Sequence, residues 1–546
     1  MDRLDPVPGD QSIAQLLIGR ARLRPDDIFA IFPDRSWTFG QLDAEARRVA
    51  AGLIAVGVAP GDHVATVMPN CSDWLPASFG AWYAGAVVVA LNARYKRHEL
   101  AFTIADSRAR VVLTTDAITD HVDIPAILLD ALPGAAAADP RALALACAPE
   151  LTMLVLSGRL RAGFTSMDAL CGLGDATPAT AVDRAIATCA PDDPAALIYS
   201  SGTTANPKGC ILSHAGLQRS WYTFAETVDL RAGDRVWTPM PFYHTGGIGP
   251  LTAILSRGAA LMTQPHFEAE EALRLIAGHR VHHLYSGFPQ LSLTVLQHPD
   301  YSPERFAFVR SMLNVGPPAM QRAIEALLPP GAHVLNLFGM TEGSGIITFT
   351  PIDAPLEIRA TTSGRAPAHT EVRIVDPKTG AVCGPEDVGE IQFRGGGAFQ
   401  GYYRAPELTA ETIVDGGWVR TGDRGKLDAE GWLHYLGRLK DMLKVGGENV
   451  ACAEIEFFLN QHPDVKMVQV IGGADARMGE VPVAFVERTP GGTVCADQLV
   501  DMCRGQLSSW KIPAEIVFVE EWPMSATKVQ KFRLVEQLPE RFRAAT

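Results

Sequence analysis

Near the middle of the 546-residue chain stands a hydroxyl-rich loop with one lysine, Tyr199-Ser-Ser-Gly-Thr-Thr-Ala-Asn-Pro-Lys-Gly209. Ser200, Ser201, Thr203 and Thr204 crowd around Gly202, and Lys208 is set between Pro207 and Gly209. Backbone N–H groups, hydroxyls and one ammonium are the donors that a phosphate chain requires. The stretch is not the common nucleotide loop, because no helix-opening Gly-Lys-Ser/Thr follows it. Alone, it reads equally as a solvated turn. Thr341-Glu342 ends an apolar run. A carboxylate beside phosphates needs a divalent cation between them, and Mg²⁺ takes one or two carboxylates plus phosphate oxygens. Alone, this pair also reads as a helix cap. Asp423, at the end of Trp418-Val-Arg-Thr-Gly-Asp423, follows a tight turn and can accept from a sugar diol, or can simply close an Asx turn. Arg438 offers a second polar contact, and Lys528 is a lone cation in a short polar loop, where lysine is usually only solvated.

These residues need a scaffold of strand ends. The apolar run Pro194–Tyr199 reads as a buried strand that delivers the loop. Upstream, Thr38 is placed to cap a helix beginning near Gln41, and His63–Met68, Gly85–Ala90 and Val111–Thr114 read as strands separated by helices. Residues 132–180 are Ala-rich and read as surface helix and loop. Downstream, a helix from Ser213 and the strands near 235–238, 259–262, 282–285, 308–313 and 333–336 continue the alternation, which predicts a mostly parallel sheet. Several of these strands run into Gly- or Pro-bearing loops, where open α/β sheets bind ligands. From about 360 short alternating strands predict a β-subdomain, and beyond Asp441 a compact α+β tail follows.

Composition narrows the classes. Forty-eight basic and sixty-one acidic residues give a net charge of −13, a poor generic match for nucleic acid or an anionic membrane. Nine scattered cysteines include no C-x-x-C pair, which argues against a disulfide framework or a zinc site and fits a reducing cytoplasm. The N-terminus lacks a signal-peptide pattern, and no apolar run is long enough for a membrane span.

In order and spacing, the motifs resemble the acyl-adenylating, AMP-forming superfamily, in its acyl-CoA synthetase and aryl-CoA ligase branch. The resemblance runs from about Trp37 to Arg533 and rests on Tyr199–Gly209, Phe338–Glu342, Thr421–Asp423, Gly437–Asn449 and Pro523–Lys528. It implies a large N-terminal domain, residues 1–438, of two mixed α/β sheet subdomains plus a β-subdomain, and a small mobile α+β C-terminal domain, residues 439–546. It also implies ATP, Mg²⁺ and coenzyme A as cofactors, a carboxylic acid as substrate, and a homodimer as an allowed assembly. Catalysis would fall to Lys528, Thr204, Glu342 and His244, with Glu342 on the metal. ATP would be held by Ser200, Ser201, Gly202, Thr203, Thr204, Lys208, Gly316, Phe338, Gly339, Met340, Thr341, Asp423 and Arg438. Lys440 would be the hinge, and Lys444, Gly446 and Gly447 would line the thiol passage. The acyl pocket would comprise Tyr243, His244, Gly247, Tyr285, Asn314, Gly316 and Met340.

Three positions depart from the family pattern. Ala205 replaces a usual glycine, Phe338 replaces a tyrosine, and the glycine expected before the catalytic lysine is missing, so Thr527 adjoins Lys528. None removes a charged group. His244 stands where amino-acid-activating relatives place an aspartate for the substrate ammonium, and an uncharged imidazole balances a buried ammonium poorly. Gly246, Gly247 and Gly249 suggest room for a bulky or branched acid, and Asn314 offers one polar contact with nothing cationic. The expected reaction is acyl-CoA synthesis through an acyl-adenylate. The alternatives are an acyl-AMP ligase loading a carrier protein's phosphopantetheine and, more remotely, a catalytically impaired binding protein of the same fold.

Overall fold

The computed structural model describes residues 9–200, 207–439, 442–445, 448–475, 477–504, 506–507, 509–525 and 528–543. Its contacts divide the chain into two units: residues 1–372 with 393–419, and residues 373–392 with 420–546.

Two seven-stranded sheets organise the first unit. One runs, in spatial order, through Thr165–Ser166, Met153–Ser157, Val111–Thr115, His63–Val67, Val87–Leu91, Pro194–Ser200 and Lys208–Ser213. Neighbours are parallel except the last pair, which is antiparallel. Val87–Leu91 and Val111–Thr115 are buried along their whole length, as strands covered on both faces must be. The other sheet runs through His333–Leu335, Ser311–Asn314, His283–Gly287, Arg235–Trp237, Ala260–Met262, Ile28–Ile31 and Ser36–Thr38. The helix Trp74–Tyr83 is buried at every residue, and the aromatic contacts Phe79–Trp82 and Trp74–Phe242 lie along it.

Local signals set many boundaries. Thr38 caps the helix Phe39–Ala55 through a reciprocal pair with Gln41. Ser213 caps the helix His214–Thr227 by accepting from Gly216 N–H at 3.0 Å.

Three expectations change. Residues 132–180 contain a strand, Met153–Ser157, buried along most of its length and paired with Val111–Thr115. Its four-residue apolar run is too short for periodicity to separate strand from helix. Lys208–Ser213 is also a strand, so the hydroxyl-rich loop closes a hairpin and the helix begins only at His214. Asp423 lies inside a ten-residue strand, Trp418–Leu427, with Gly422 in the left-handed region at φ 67°, rather than after a free-standing turn.

In the second unit, residues 423–427 pair with Leu433–Arg438 as a hairpin. A further sheet orders Glu448–Ala451, Met442–Val445, Gly479–Arg488 and Val465–Asp475, with Glu515–Phe518 parallel to Gly479–Arg488. Val450, Ile455, Leu459, Val470, Val483, Phe485 and Leu499 fill its core. Among the described residues, no helix is long and apolar enough to cross a membrane.

Candidate active site

The antiparallel pairing sets Ser200 opposite Lys208 and Tyr199 opposite Gly209, so the loop between them starts and ends at adjacent points. Ser201, Gly202, Thr203, Thr204 and Ala205 lie outside the described residues. The Tyr199 hydroxyl donates to Asp106 Oδ2 at 2.7 Å, which pins the strand just before the loop. Burial pushes the Cys210 thiol well up, with the Glu342 carboxylate adding to the effect. That thiol is therefore inert at working pH.

Glu342 sits in the single helical turn Thr341–Gly343, directly after the short strand Leu337–Phe338. The turn is folded back tightly. A Cβ on Gly339 would lie 1.7 Å from Gly345 O, so only glycine fits there. Trp221 Nε1 donates to Ser344 O at 2.9 Å and fixes the far side of the turn. Glu342 is buried, and one carboxylate oxygen accepts from the Tyr402 hydroxyl at 2.6 Å. A buried carboxylate has the hard-oxygen chemistry that suits Mg²⁺. Phe338 is buried, while Gly339, Met340, Thr341 and Gly316 are partly open.

On the acyl side, the chain leaves Arg235–Trp237 and reaches His244, the N-cap of the helix Thr245–Arg257. Asn70 holds this crossing. Its amide donates to Met240 O and Thr263 Oγ1, both at 2.9 Å, and its oxygen accepts from Phe242 N–H at 2.9 Å. Tyr243 is buried and meets the His244 ring edge-on at 4.9 Å; burial pushes its hydroxyl up to about 12. Tyr285 is buried with its ring 5.5 Å from that of Trp221.

The glycines of this helix have a packing cause. A Cβ on Gly247 would lie 2.0 Å from Pro241 O, and one on Gly249 would lie 1.8 Å from Trp221 Nε1. They record close approach of backbone and ring, so room for a large acid does not follow from them. Asn314 is fully buried and committed within the protein. Its oxygen accepts from Ser292 Oγ at 2.8 Å and its amide donates to Gln321 Oε1 at 3.1 Å.

In the second unit, Asp423 and Arg438 face each other in register across the hairpin. Arg438 Nε lies 2.9 Å from Asp423 Oδ1, and the Asp423 side chain is 4% exposed against 45% for Arg438. Asp423 N–H also donates to Thr421 Oγ1 at 2.9 Å. Lys440, Gly446, Gly447 and Thr527 lie outside the described residues. Lys444 and Lys528 fall in the strands Met442–Val445 and Lys528–Val529, with their side chains outside the description.

Asn70, Trp221 and Tyr402 escaped the sequence reading. Asn70 carried one weak signal, a Pro69-Asn70 pair just past a strand. Tyr402 stood only as an aromatic just after the glycine-bearing stretch 395–401.

Comparison with known proteins agrees with the motifs. The family described as AMP-binding enzyme matches residues 19–403, and the AMP-binding enzyme C-terminal domain matches residues 454–529. The putative acyl-CoA synthetase YngI of Bacillus subtilis (strain 168) is 33% identical over 97% of this chain and 98% of its own length. The mitochondrial medium-chain acyl-CoA ligase ACSF2 of Mus musculus is 31% identical over 93% of this chain and 85% of its own. The solved structure of the anthranilate CoA ligase AuaEII with anthranoyl-AMP superposes with a TM-score of 0.82 at 26% identity, covering 97% of this chain and 98% of that one.

A large unit of mixed α/β sheets followed by a small C-terminal unit is the architecture of the adenylate-forming enzymes. This chain belongs to the AMP-binding enzyme family and is an AMP-forming acyl-CoA synthetase, an acid–thiol ligase that uses ATP and CoA.

Proposed function

We propose that the enzyme activates a largely apolar monocarboxylic acid, medium-chain, aromatic or alicyclic, and transfers it to free CoA. The observation that carries this reading is Asn314. Its polar groups are spent on Ser292 and Gln321, and the nearby wall is aromatic, made of Tyr243, Tyr285 and Trp221. A second carboxylate or an ammonium on the substrate would be desolvated against that wall and would find no partner in Asn314, which is costly. His244 in place of an acid points away from amino acids in the same way.

In the first step the substrate carboxylate attacks the α-phosphorus of ATP and pyrophosphate leaves. Lys208 and the hydroxyls of Ser200, Ser201, Thr203 and Thr204 hold the outgoing phosphates. Thr341 and Glu342 serve the α-phosphate side, and Glu342 would hold Mg²⁺. The metal would offset charge gathering on phosphoryl oxygens. Gly316, Phe338, Gly339 and Met340 bound the nucleoside, and Asp423 with Arg438 engages the ribose. Lys528 bridges the carboxylate and the α-phosphate. In the second step the CoA thiol attacks the acyl carbon and AMP leaves, with Lys444, Gly446 and Gly447 lining the passage and His244 at the acyl end. We place the functional boundary after Arg438, with Lys440 as hinge of a mobile C-terminal domain, and the enzyme in the cytoplasm.

The deciding experiment is AMP release over a panel of acids, with CoA or a phosphopantetheinylated carrier protein as acceptor. Turnover of monocarboxylic acids with CoA is the expected result. Preference for dicarboxylates or amino acids, or transfer to carrier protein alone, would overturn the reading.

A further inference from the structure

We propose that Tyr402 is a positioning residue that joins the anionic and cationic halves of the phosphate site, holding Glu342 with its hydroxyl and facing Lys208 with its ring. The inference rests on the reading of this site as the one for magnesium and ATP.

The backbone of residues 399–403 runs between the strand Lys208–Ser213 and the turn Thr341–Gly343, and it is tied to both. Phe399 N–H donates to Glu342 O at 2.8 Å. Gln400 N–H donates to Ile211 O at 2.9 Å, Ile211 N–H to Gly401 O at 3.0 Å, and Tyr403 N–H to Gly209 O at 2.7 Å. Tyr402 N–H donates to Thr409 Oγ1 at 2.9 Å. The segment is therefore a strap fastened to the two elements that carry the charged side chains.

The Tyr402 side chain repeats that connection at the level of charge. Its hydroxyl donates to Glu342 Oε1 at 2.6 Å, the short spacing of a charge-assisted bond. Lys208 Nζ lies 5.7 Å from its ring centroid, inside cation–π range. Glu342 is itself buried, and an unpartnered carboxylate there would turn toward whatever donor it found. One phenol thus fixes the orientation of the proposed metal ligand and sets the face against which the phosphate-binding ammonium rests.

The test is calorimetric titration of the full-length enzyme with ATP across a series of Mg²⁺ concentrations, without acid or CoA. Tyr402→Phe is expected to raise the Mg²⁺ concentration needed for half-maximal enhancement of ATP binding about tenfold, the scale of one hydrogen bond to a charged group. With its ring retained, its ATP affinity in saturating Mg²⁺ should stay within about threefold of wild type. Tyr402→Leu should show the same Mg²⁺ shift and lose a further three- to tenfold in ATP affinity, roughly the worth of a cation–π contact. Added to Glu342→Gln, Tyr402→Phe should produce no further change in Mg²⁺ dependence. An unchanged Mg²⁺ curve for a folded Tyr402→Phe, or a full shift on the Glu342→Gln background, would overturn the proposal. A lowered melting temperature with that curve unchanged would show a packing role only and overturn it as well. Absence of Mg²⁺-dependent ATP binding in the wild type would instead overturn the reading of the site.

Discussion

The Glu342 carboxylate of the first unit and the Asp423–Arg438 pair of the second are held on different principles. Glu342 is held by groups remote in sequence: Tyr402 on one carboxylate oxygen, Phe399 on its backbone carbonyl, and Trp221 on the far side of its turn. Asp423 and Arg438 are partners across a hairpin, opposed in register, and the turn before Asp423 is tied to the neighbouring strand, Thr421 Oγ1 donating to Ile391 O at 2.7 Å and Gly422 N–H to Glu390 Oε1 at 3.2 Å. The first arrangement needs the 399–403 strap and the helix His214–Thr227 in place before the carboxylate is aimed. The second needs one sheet, the hairpin together with the strand Gly389–Gly395 beside it. Damage should therefore spread differently: substitutions at its sequence-distant holders should disturb Glu342, whereas those in the hairpin and the strand beside it should disturb Asp423.

The largest effect should come from the lysine that neither arrangement supplies. Lys528→Ala is expected to slow acid-dependent pyrophosphate exchange by about 10²–10⁴, the scale of one oriented charge at a reacting centre. Thioester formation from supplied acyl-adenylate and CoA should remain within several-fold of wild type. Equal losses in the two half-reactions would mean that Lys528 does not distinguish them.

Asp423→Ala comes next. It should raise the KM for ATP about 10- to 100-fold, the cost of losing a charged hydrogen bond, with a smaller change in kcat. Because Arg438 is half-exposed, its ammonium-like charge can rehydrate, and the melting temperature should move little. The Mg²⁺ dependence of ATP binding should also be unchanged, in contrast to Tyr402→Phe. A Mg²⁺ shift in Asp423→Ala would erase the distinction between the two regions.

The same contrast explains what the sequence disclosed. Motif order singled out Glu342, Asp423 and the hydroxyl-rich loop through the family resemblance, because each belongs to a short contiguous run. Thr38 with Gln41 was legible as a cap for the same local reason. Tyr402 and Asn70 were not, since their partners are 60 and 172 residues away and no spacing rule connects them. Met153–Ser157 was hidden by its shortness. Lys208–Ser213 was hidden because a strand starting with Lys-Gly carries weak β-propensity until antiparallel pairing with Pro194–Ser200 overrides it. The glycines near 247 were legible as small residues, but whether smallness made room or allowed contact depended on Trp221 and Pro241.

Acid should weaken the first unit through His214. The ring is fully buried, and burial lowers its pKa to about 3. Nδ1 accepts from Ile13 N–H at 3.3 Å, which leaves the proton on Nε2, 3.3 Å from Cys189 Sγ. The folded value lies below the unfolded one near 6.5, so between them the unfolded chain binds the extra proton and stability falls as pH falls. From pH 7 to pH 5 this group should cost on the order of 2 kcal/mol. His214→Gln should lose that much less over the same interval, measured by chemical denaturation. Hydrogen exchange at pH 5 should show the loss of protection in peptides of the first unit and not in the hairpin of residues 420–438. Parallel pH curves for the two proteins would remove His214 from the account.

The smallest effect tests whether a purely local device stays local. Thr38 Oγ1 accepts from Gln41 N–H at 3.2 Å, and Gln41 Oε1 accepts from Thr38 N–H at 3.1 Å, both near the surface. Thr38→Ala should cost about 1 kcal/mol of stability, and Thr38→Ser should recover most of it. The helix it starts, Phe39–Ala55, buries Leu42, Val49 and Leu53, so fraying its first turn leaves the packed face in place. Neither the Mg²⁺ dependence of ATP binding nor the KM for the acid should then move. A change in either would mean that the strapped phosphate site senses the first turn of a remote helix. The first unit would then have to be treated as one cooperative body, in which no device counts as local.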